Sequence, residues 1–424
     1  MAARTLRWKS PGQRFAAERL TGVDLARGAA LLAMMATHLL PTIAPDVAGH
    51  AEPTWVGLTF SGRAAALFAV LAGVSLALGR VPAEANRLGL ALRAAVIAAV
   101  GLCLGMLQVN VAVILVQYAV LFWCAIPVLR LGQRALVLLS IAWILLAPIV
   151  TFELRPWLLG GADPARLGHN PTWNDLADPV RLIGDLFVTG FYPVIEWFAY
   201  LLVGLWIGRL QLRRWGVQVG LLCGGAAAAA LAKGAEWALM VPLGGRAGLL
   251  ATPQASHWPL DAMLQANLTG LEQTGSPWWL ATAAPHAGTT LDLLHTVGTS
   301  AAALGAFLLL ARIRPIEKIG ILRPLAGAGG MTLTLYTVHV WAAAWSEGGG
   351  TPGLEREGLL AVHIVAGLAV GLLFRANGWR GPLEWATHGA SRLGRIKQTT
   401  TSGGSRATGG SRAPSGPRAK SPQR

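Results

Sequence analysis

The sequence predicts an all-α integral membrane protein, a polytopic bundle of about ten transmembrane helices. Three observations carry this. Only 13% of the 424 residues are charged, about half the share of a soluble domain. Apolar runs long enough to span a bilayer recur from end to end. The basic residues between those runs fall on alternate links.

The expected spans are 23–44, 62–79, 91–109, 111–129, 134–152, 183–208, 216–240, 291–311, 325–345 and 358–376. Arg80, Arg87 and Arg93 lie between the second and third spans or at their edge, Arg130 and Arg134 between the fourth and fifth. Arg209, Arg213 and Arg214 follow the sixth, and Arg312, Arg314, Lys318 and Arg323 follow the eighth. All of these fall on the side of the basic N-terminus, while the intervening links are poorer in Lys and Arg. Positive charge stays on the cytoplasmic side, so both chain ends are expected in the cytoplasm. Three long segments, 45–61, 153–182 and 241–290, are expected on the opposite face, with Trp157, Trp173, Trp258, Trp278 and Trp279 at the headgroup level. Loops of this length usually line or cover a site.

Three domains are expected: a basic cytoplasmic segment at 1–22, a membrane domain at 23–390 and a disordered basic tail at 391–424. Residues 1–20 hold five basic groups and one acid, and residues 391–424 hold eight basic groups and no acid. The two ends therefore account for most of the net +15. Such charge sets topology and attracts anionic lipid headgroups. It lacks the folded face with interleaved aromatics that nucleic-acid binding requires, so no nucleic-acid partner is expected. Cys103, Cys124 and Cys223 each fall within an apolar run, which gives neither a disulfide framework nor metal spacing. The first run has no clear cleavage site and reads as a retained helix.

Ionisable groups inside membrane helices are costly, by roughly 2.5–3.5 kcal/mol on insertion scales, and so mark partners or cavities. The first span, RLTGVDLARGAALLAMMATHLLP, holds the best set. Arg27 and His38 are eleven residues apart, about 20° from three full turns at ~100° per residue, with ~16 Å between them. Asp24 is placed to pair with Arg27. One face thus offers a cation near the cytoplasmic end and an imidazole past the midplane, suited to a long ligand that is anionic at one end and reactive at the other. Arg27 as a topogenic cation and His38 as a packed core histidine are the structural alternatives. Asp292, His295, Tyr336, His339, Arg63, Gln117, Tyr118 and Glu196 fall at matching depth and are expected to converge on one cavity. Lys233 and Glu236 read as an i,i+3 structural pair. His257 and His286 are loop residues without metal partners, and no metal site is expected. No phosphate loop, zinc helix or nucleophile elbow is present.

The segments RLTGVDLARGAALLAMMATHLLP, SGRAAALFAVLAGVSLALGR, TGFYPVIEWFAYLLVGLWIGRL, PHAGTTLDLLHTVGTSAAALGAF, GGMTLTLYTVHV and RGPLEW resemble bacterial membrane proteins of the heparan-alpha-glucosaminide N-acetyltransferase-like and YeiB-like superfamily. The resemblance spans most of the membrane domain. It implies acyl transfer, with acetyl the expected group, from cytoplasmic acetyl-CoA or another acyl-CoA to an extracytoplasmic glycan or lipid-linked sugar. The acyltransferase-3 branch carries Arg-x10-His in its first helix, and Arg27 and His38 match. By that resemblance Arg27, with Asp24, meets the donor phosphates and His38 acts at the acyl carbonyl. The animal enzyme instead keeps its catalytic histidine in the loop after the first helix, where this chain has His50. His38 is the first choice and His50 the alternative. Catalytic roles are expected for His38, His295, His339 and Asp292, the last as partner to a histidine. Acceptor contacts are expected from Arg63, Tyr336, His50 and Gln117.

The expected location is a bacterial inner membrane, and the membrane class leaves room for a homo-oligomer. Two other classes compete: a transporter of a small amphipathic or sugar-like metabolite, and a noncatalytic envelope-assembly protein. No inverted repeat of the transporter kind is visible.

Overall fold

The computed structural model describes residues 20–403 except 80–85, 108, 161–166, 257, 270–271, 314–319, 321 and 352. The basic segment before residue 20, the tail from 404, the linker residues Arg80, Arg314 and Lys318, and His257 lie outside the described residues.

The described residues are mainly helical. The first helix, α1 (Thr21–Leu39), leads into a short antiparallel hairpin of β1 (Ile43–Pro45) and β2 (Ala51–Pro53), with Ala44 opposite Glu52. Helix α2 (Trp55–Phe60) is capped by the Thr54 side chain, and α3 (Arg63–Ala77) continues from it. The next helices are α4 (Arg87–Gly105), α5 (Leu115–Val128) and α6 (Gln133–Leu159). Then α7 (Pro179–Gly184) runs into a π-turn at Asp185–Thr189, and α8 (Val194–Gly208) and α9 (Trp215–Met240) follow. Three short helices occupy the following segment: α10 (Gly245–Leu250), α11 (Pro253–Ser256) and α12 (Leu260–Ala266). The described residues end with α13 (Thr290–Leu310), α14 (Arg323–Ala328), α15 (Thr332–Trp345), α16 (Arg356–Ala376) and α17 (Pro382–Gly403).

Six helical stretches among the described residues, α2 with α3 counted as one, are long and apolar enough to cross a bilayer, and α7 with α8 makes a seventh if their 57° bend belongs to one span. The protein is a multi-pass membrane protein. A helix lies at each of the ten expected places, but ten spans are not shown. Helices α5 and α15 have 14 residues each, short of the ~20 needed. Helix α1 is 19 residues long but carries Asp24, Arg27 and His38. Helix α17 runs past residue 391, where the tail was expected to begin, and is seated on α4 by an Asn86–Ser391 side-chain hydrogen bond of 3.0 Å.

Small residues bring the helices together. A Cβ on Gly73 of α3 would lie 2.3 Å from the Leu201 carbonyl oxygen, and one on Gly204 of α8 would lie 2.1 Å from that of Val70. Gly225 of α9 and Gly298 of α13 approach each other's backbone in the same way. This is how apolar helices associate where lipid is as apolar as the side chains.

The segment 241–290 packs its own small core over the hairpin end of the bundle. Leu249, Leu260, Met263, Leu268 and Trp279 are its centre. Trp279, expected at the headgroup level, is fully buried here, while Trp157 and Trp258 are exposed. The Lys233–Glu236 pair does more than brace α9. Its atoms are 2.7 Å apart, and Glu236 also accepts from Thr282 Oγ1 (2.8 Å) and the Ala283 amide (2.6 Å), pinning this cap to the bundle.

Candidate functional site

Helix α1 carries two of the expected groups on one stripe. Near its start, Arg27 donates to Asp24 Oδ1 (3.1 Å) and to the Ser75 hydroxyl of α3. Asp24 is buried, and its Oδ2 has no partner. Near its end, His38 places Nδ1 3.1 Å from Nε2 of His339 on α15, with the two rings stacked at 5.3 Å. The Tyr336 ring stands edge-on to His38, centroids 6.2 Å apart. The Tyr336 hydroxyl donates to the Ala112 carbonyl (3.4 Å) and accepts from the Ile114 amide (3.4 Å), so it anchors the loop before α5.

A second pair lies between α3 and α13. Arg63 Nε donates to His295 Nε2 (3.2 Å), and His295 Nδ1 donates to the Ala229 carbonyl of α9 (3.2 Å). Both imidazole nitrogens are thus engaged, and a ring whose Nε2 accepts must carry its proton on Nδ1.

The third group lines a cavity of about 50 Å³ under the cap. Glu196 of α8, Asp292 of α13, Tyr200, Thr296 and His286 meet there. Glu196 Oε1 accepts from Thr151 Oγ1 (2.7 Å) and from Arg155 (3.4 Å). Asp292 Oδ2 accepts from the Gly288 amide (3.0 Å), while Oδ1 is buried with no partner. Gly288 has φ +68, and a Cβ there would lie 1.8 Å from Glu196 Oε2. Only glycine lets this loop close on the carboxylate. Gln117 is buried beside Gly190 of the lining, with neither amide atom partnered. Buried polar atoms without partners are rare in native folds. Here two of the residues bearing them, Gln117 and Asp292, sit in or against one polar cavity.

The expectation of a single cavity is therefore corrected. Among the described residues, His38, His339 and Tyr336 form one cluster, Arg63 and His295 another, and Asp292 belongs to the cavity, whose lining includes no member of the first two clusters. Matching depth placed these groups at one level, but the helices turn them to different neighbours. Asp292 pairs with no histidine among the described residues. His38 and His295 are bound by His339 and Arg63, and the Asp292 carboxylate is turned to the Gly288 amide. His50 sits at the hairpin turn with its side chain 80% exposed, 3.4 Å from Asp46, away from every cluster.

The sequence matches the family model "heparan-alpha-glucosaminide N-acetyltransferase, catalytic" over residues 19–241. The chain belongs to that family. Comparison with curated proteins gives no match. The family is an acetyltransferase family, and the matched region holds Arg27, His38, His50, Arg63, Gln117 and Glu196. Asp292, His295, Tyr336 and His339 follow it in sequence but pack against it. No group of His, Cys, Asp or Glu among the described residues is arranged to hold a metal.

Sequence reasoning passed over His363, Arg155 and Tyr200, and assigned no role to Glu196. His363 carried a legible signal, a lone histidine inside an apolar span. Arg155 gave none, because it looked like part of a loop.

Proposed function

We propose that this member of the heparan-alpha-glucosaminide N-acetyltransferase family moves an acetyl group from cytoplasmic acetyl-CoA to an amine or hydroxyl of an extracytoplasmic glycan or lipid-linked sugar, in a bacterial envelope. The observation that carries the reading is α1, which lies within the family match and has Arg27 and His38 on one stripe, each seated by another helix. In this reading all ten helices span, both ends are cytoplasmic and the capped end faces outward.

The Arg27 end fits a phosphate-bearing donor. Arg93 of α4 lies within electrostatic reach of Arg27, and its Nε is buried without a partner. Two guanidinium groups this close, one with a buried Nε–H left unpartnered, match phosphate oxygens. At the other end of α1, His38 Nδ1 is taken by His339, and no hydrogen bond among the described residues engages Nε2. His38 Nε2 is then the general base. It takes the proton of the acceptor N–H or O–H as that atom bonds to the thioester carbonyl carbon. The C–S bond breaks, and the proton passes to the CoA sulfur. Arg63, oriented by His295 Nε2, stabilises developing negative charge, and the polar cavity with Asp292, Glu196 and Gln117 takes an acceptor hydroxyl away from the reacting atom.

The test is acetyl release or transfer from radiolabelled acetyl-CoA by purified protein in vesicles. His38→Ala should lose at least about 100-fold, the lower range for a general base, while His50→Ala keeps wild-type turnover. Loss confined to His50→Ala would move the base to the hairpin. Absence of turnover with acetyl-CoA and with longer acyl-CoAs would overturn the reading.

A further inference from the structure

His38 is the first of three histidines in a row. His339 is 2% exposed, and its far nitrogen, Nδ1, is buried with no hydrogen-bond partner. Against it, ring centroids 4.9 Å apart and planes at 86°, stands His363 of α16. His363 Nε2 is likewise buried without a partner, while its Nδ1 lies 2.9 Å from the Leu359 carbonyl oxygen one turn earlier. The two unpartnered nitrogens thus belong to adjoining rings, and a hydrogen bond between them would satisfy both.

The Leu359 carbonyl gives the row a direction. A carbonyl can only accept, so His363 carries its proton on Nδ1, and in the neutral ring Nε2 is then an acceptor. In such a bond His363 Nε2 accepts, so His339 carries its hydrogen on Nδ1, which leaves His339 Nε2 bare. Bare Nε2 at 3.1 Å from His38 Nδ1 requires the hydrogen to sit on His38 Nδ1. His38 Nε2 is then unprotonated. The reverse polarity would set bare His339 Nδ1 beside bare His363 Nε2, two buried acceptors with no donor between them, which is the unfavourable arrangement. Tyr336 does not compete, because its hydroxyl is engaged at Ala112 and Ile114.

We propose that His363 is a positioning residue which, anchored on the Leu359 carbonyl, sets through His339 the tautomer that leaves His38 Nε2 free to accept a proton. The inference rests on the reading of His38 as the base. When Nε2 takes the acceptor proton, the imidazolium keeps its Nδ1–H bond to His339, whose own Nδ1–H goes to His363 Nε2 in the proposed bond. The proton later leaves from Nε2 to the departing thiolate, so the row returns to its starting state with no net gain of protons.

The experiment is nitrogen NMR of histidine-labelled full-length protein in lipid nanodiscs, at a pH where the three rings are neutral, with His38 signals assigned by their loss in His38→Ala. In wild type His38 should be protonated at Nδ1 and bare at Nε2. His363→Phe should mix the two His38 tautomers and lower kcat by about tenfold, within the range of a general-base contribution, with KM for acetyl-CoA unchanged. His363→Gln, whose side-chain oxygen accepts from His339, should restore both. Wild-type His38 protonated at Nε2 overturns the proposal, and that measurement does not depend on any variant folding. A His38 tautomer indifferent to His363→Phe overturns it as well. If the tautomer follows His363 but His38→Ala still turns over, the row stands and the base assignment falls.

Discussion

At residue scale the tightest constraint is Gly288, whose α-carbon faces the Glu196 carboxylate. Replacement by Ala forces a positive φ on a residue with a Cβ and drives that Cβ into Glu196. Gly288→Ala should lower thermal stability by about 1–3 kcal/mol and weaken acceptor saturation more than donor saturation, read as KM for each. A neighbour on the same loop responds to acid. Burial pushes His286 down to about 4, against an ordinary value near 6.5 in the unfolded chain. Between those values the unfolded chain binds the proton and the folded chain does not. Stability is therefore full above about pH 6.5 and falls as pH drops toward 4. Melting curves from pH 7.5 to 4.5 should show this fall, and His286→Gln should flatten it. The legibility of single residues followed their isolation. Arg27 and His38 stood out as ionisable groups in an apolar helix, and the structure gives each a partner. Their partners were less legible, because Ser75 and His339 are far away in sequence and nothing local points from one to the other.

At the scale of elements, the short helix α15 matters most, since it carries both Tyr336 and His339. Its N-terminus is held from another helix. Glu384 of α17 accepts from the Leu333 amide (2.7 Å), the Thr334 amide (3.2 Å) and Thr334 Oγ1 (2.6 Å). This carboxylate satisfies amides that a helix start leaves open and meets the positive end of its dipole. It also joins GGMTLTLYTVHV to RGPLEW, two segments quoted above as separate marks of the same resemblance. Glu384→Ala should destabilise the protein by about 1–2 kcal/mol, the size of a lost N-cap, and lower turnover by loosening His339, whereas Glu384→Gln keeps part of both. Apolar period and basic punctuation made the long helices legible to within a few residues. They did not reveal the bend between α7 and α8, the cap helices α10 to α12, or α17. The cap and α17 are fixed by tertiary contacts, the pins from Glu236 and the seat of Ser391 on Asn86, while the bend follows a π-turn closed by the Gly190 amide on the Asp185 carbonyl, which apolar period does not mark.

At the scale of the whole molecule, the proposed chemistry requires the two ends of α1 to open on opposite faces of the membrane. Length and apolar composition among the described residues support six crossings, or seven if the bent pair is one span. The ten-span reading therefore rests on α1, α5 and α15, which are short or polar. Such helices can still cross where neighbours cover their polar groups, and the burial of Asp24, Gln117, Tyr118 and His339 is of that kind. The count can be tested helix by helix in a variant lacking Cys103, Cys124 and Cys223. Asn110→Cys and Arg134→Cys flank α5 at exposed positions, as Arg323→Cys and Gly348→Cys flank α14 and α15. Val47→Cys, on the exposed turn after α1, is compared with a tag at the N-terminus. A membrane-impermeant maleimide added to intact cells should label positions 47, 110 and 348. Positions 134 and 323 and the tag should become reachable only after lysis. If both members of a pair label from the same side, the helix between them does not cross. For α5 or α15 that would lower the span count while leaving donor and acceptor on opposite faces. For α1 it would place Arg27 and His38 on one side, and acetyl transfer across the bilayer along that helix would be excluded.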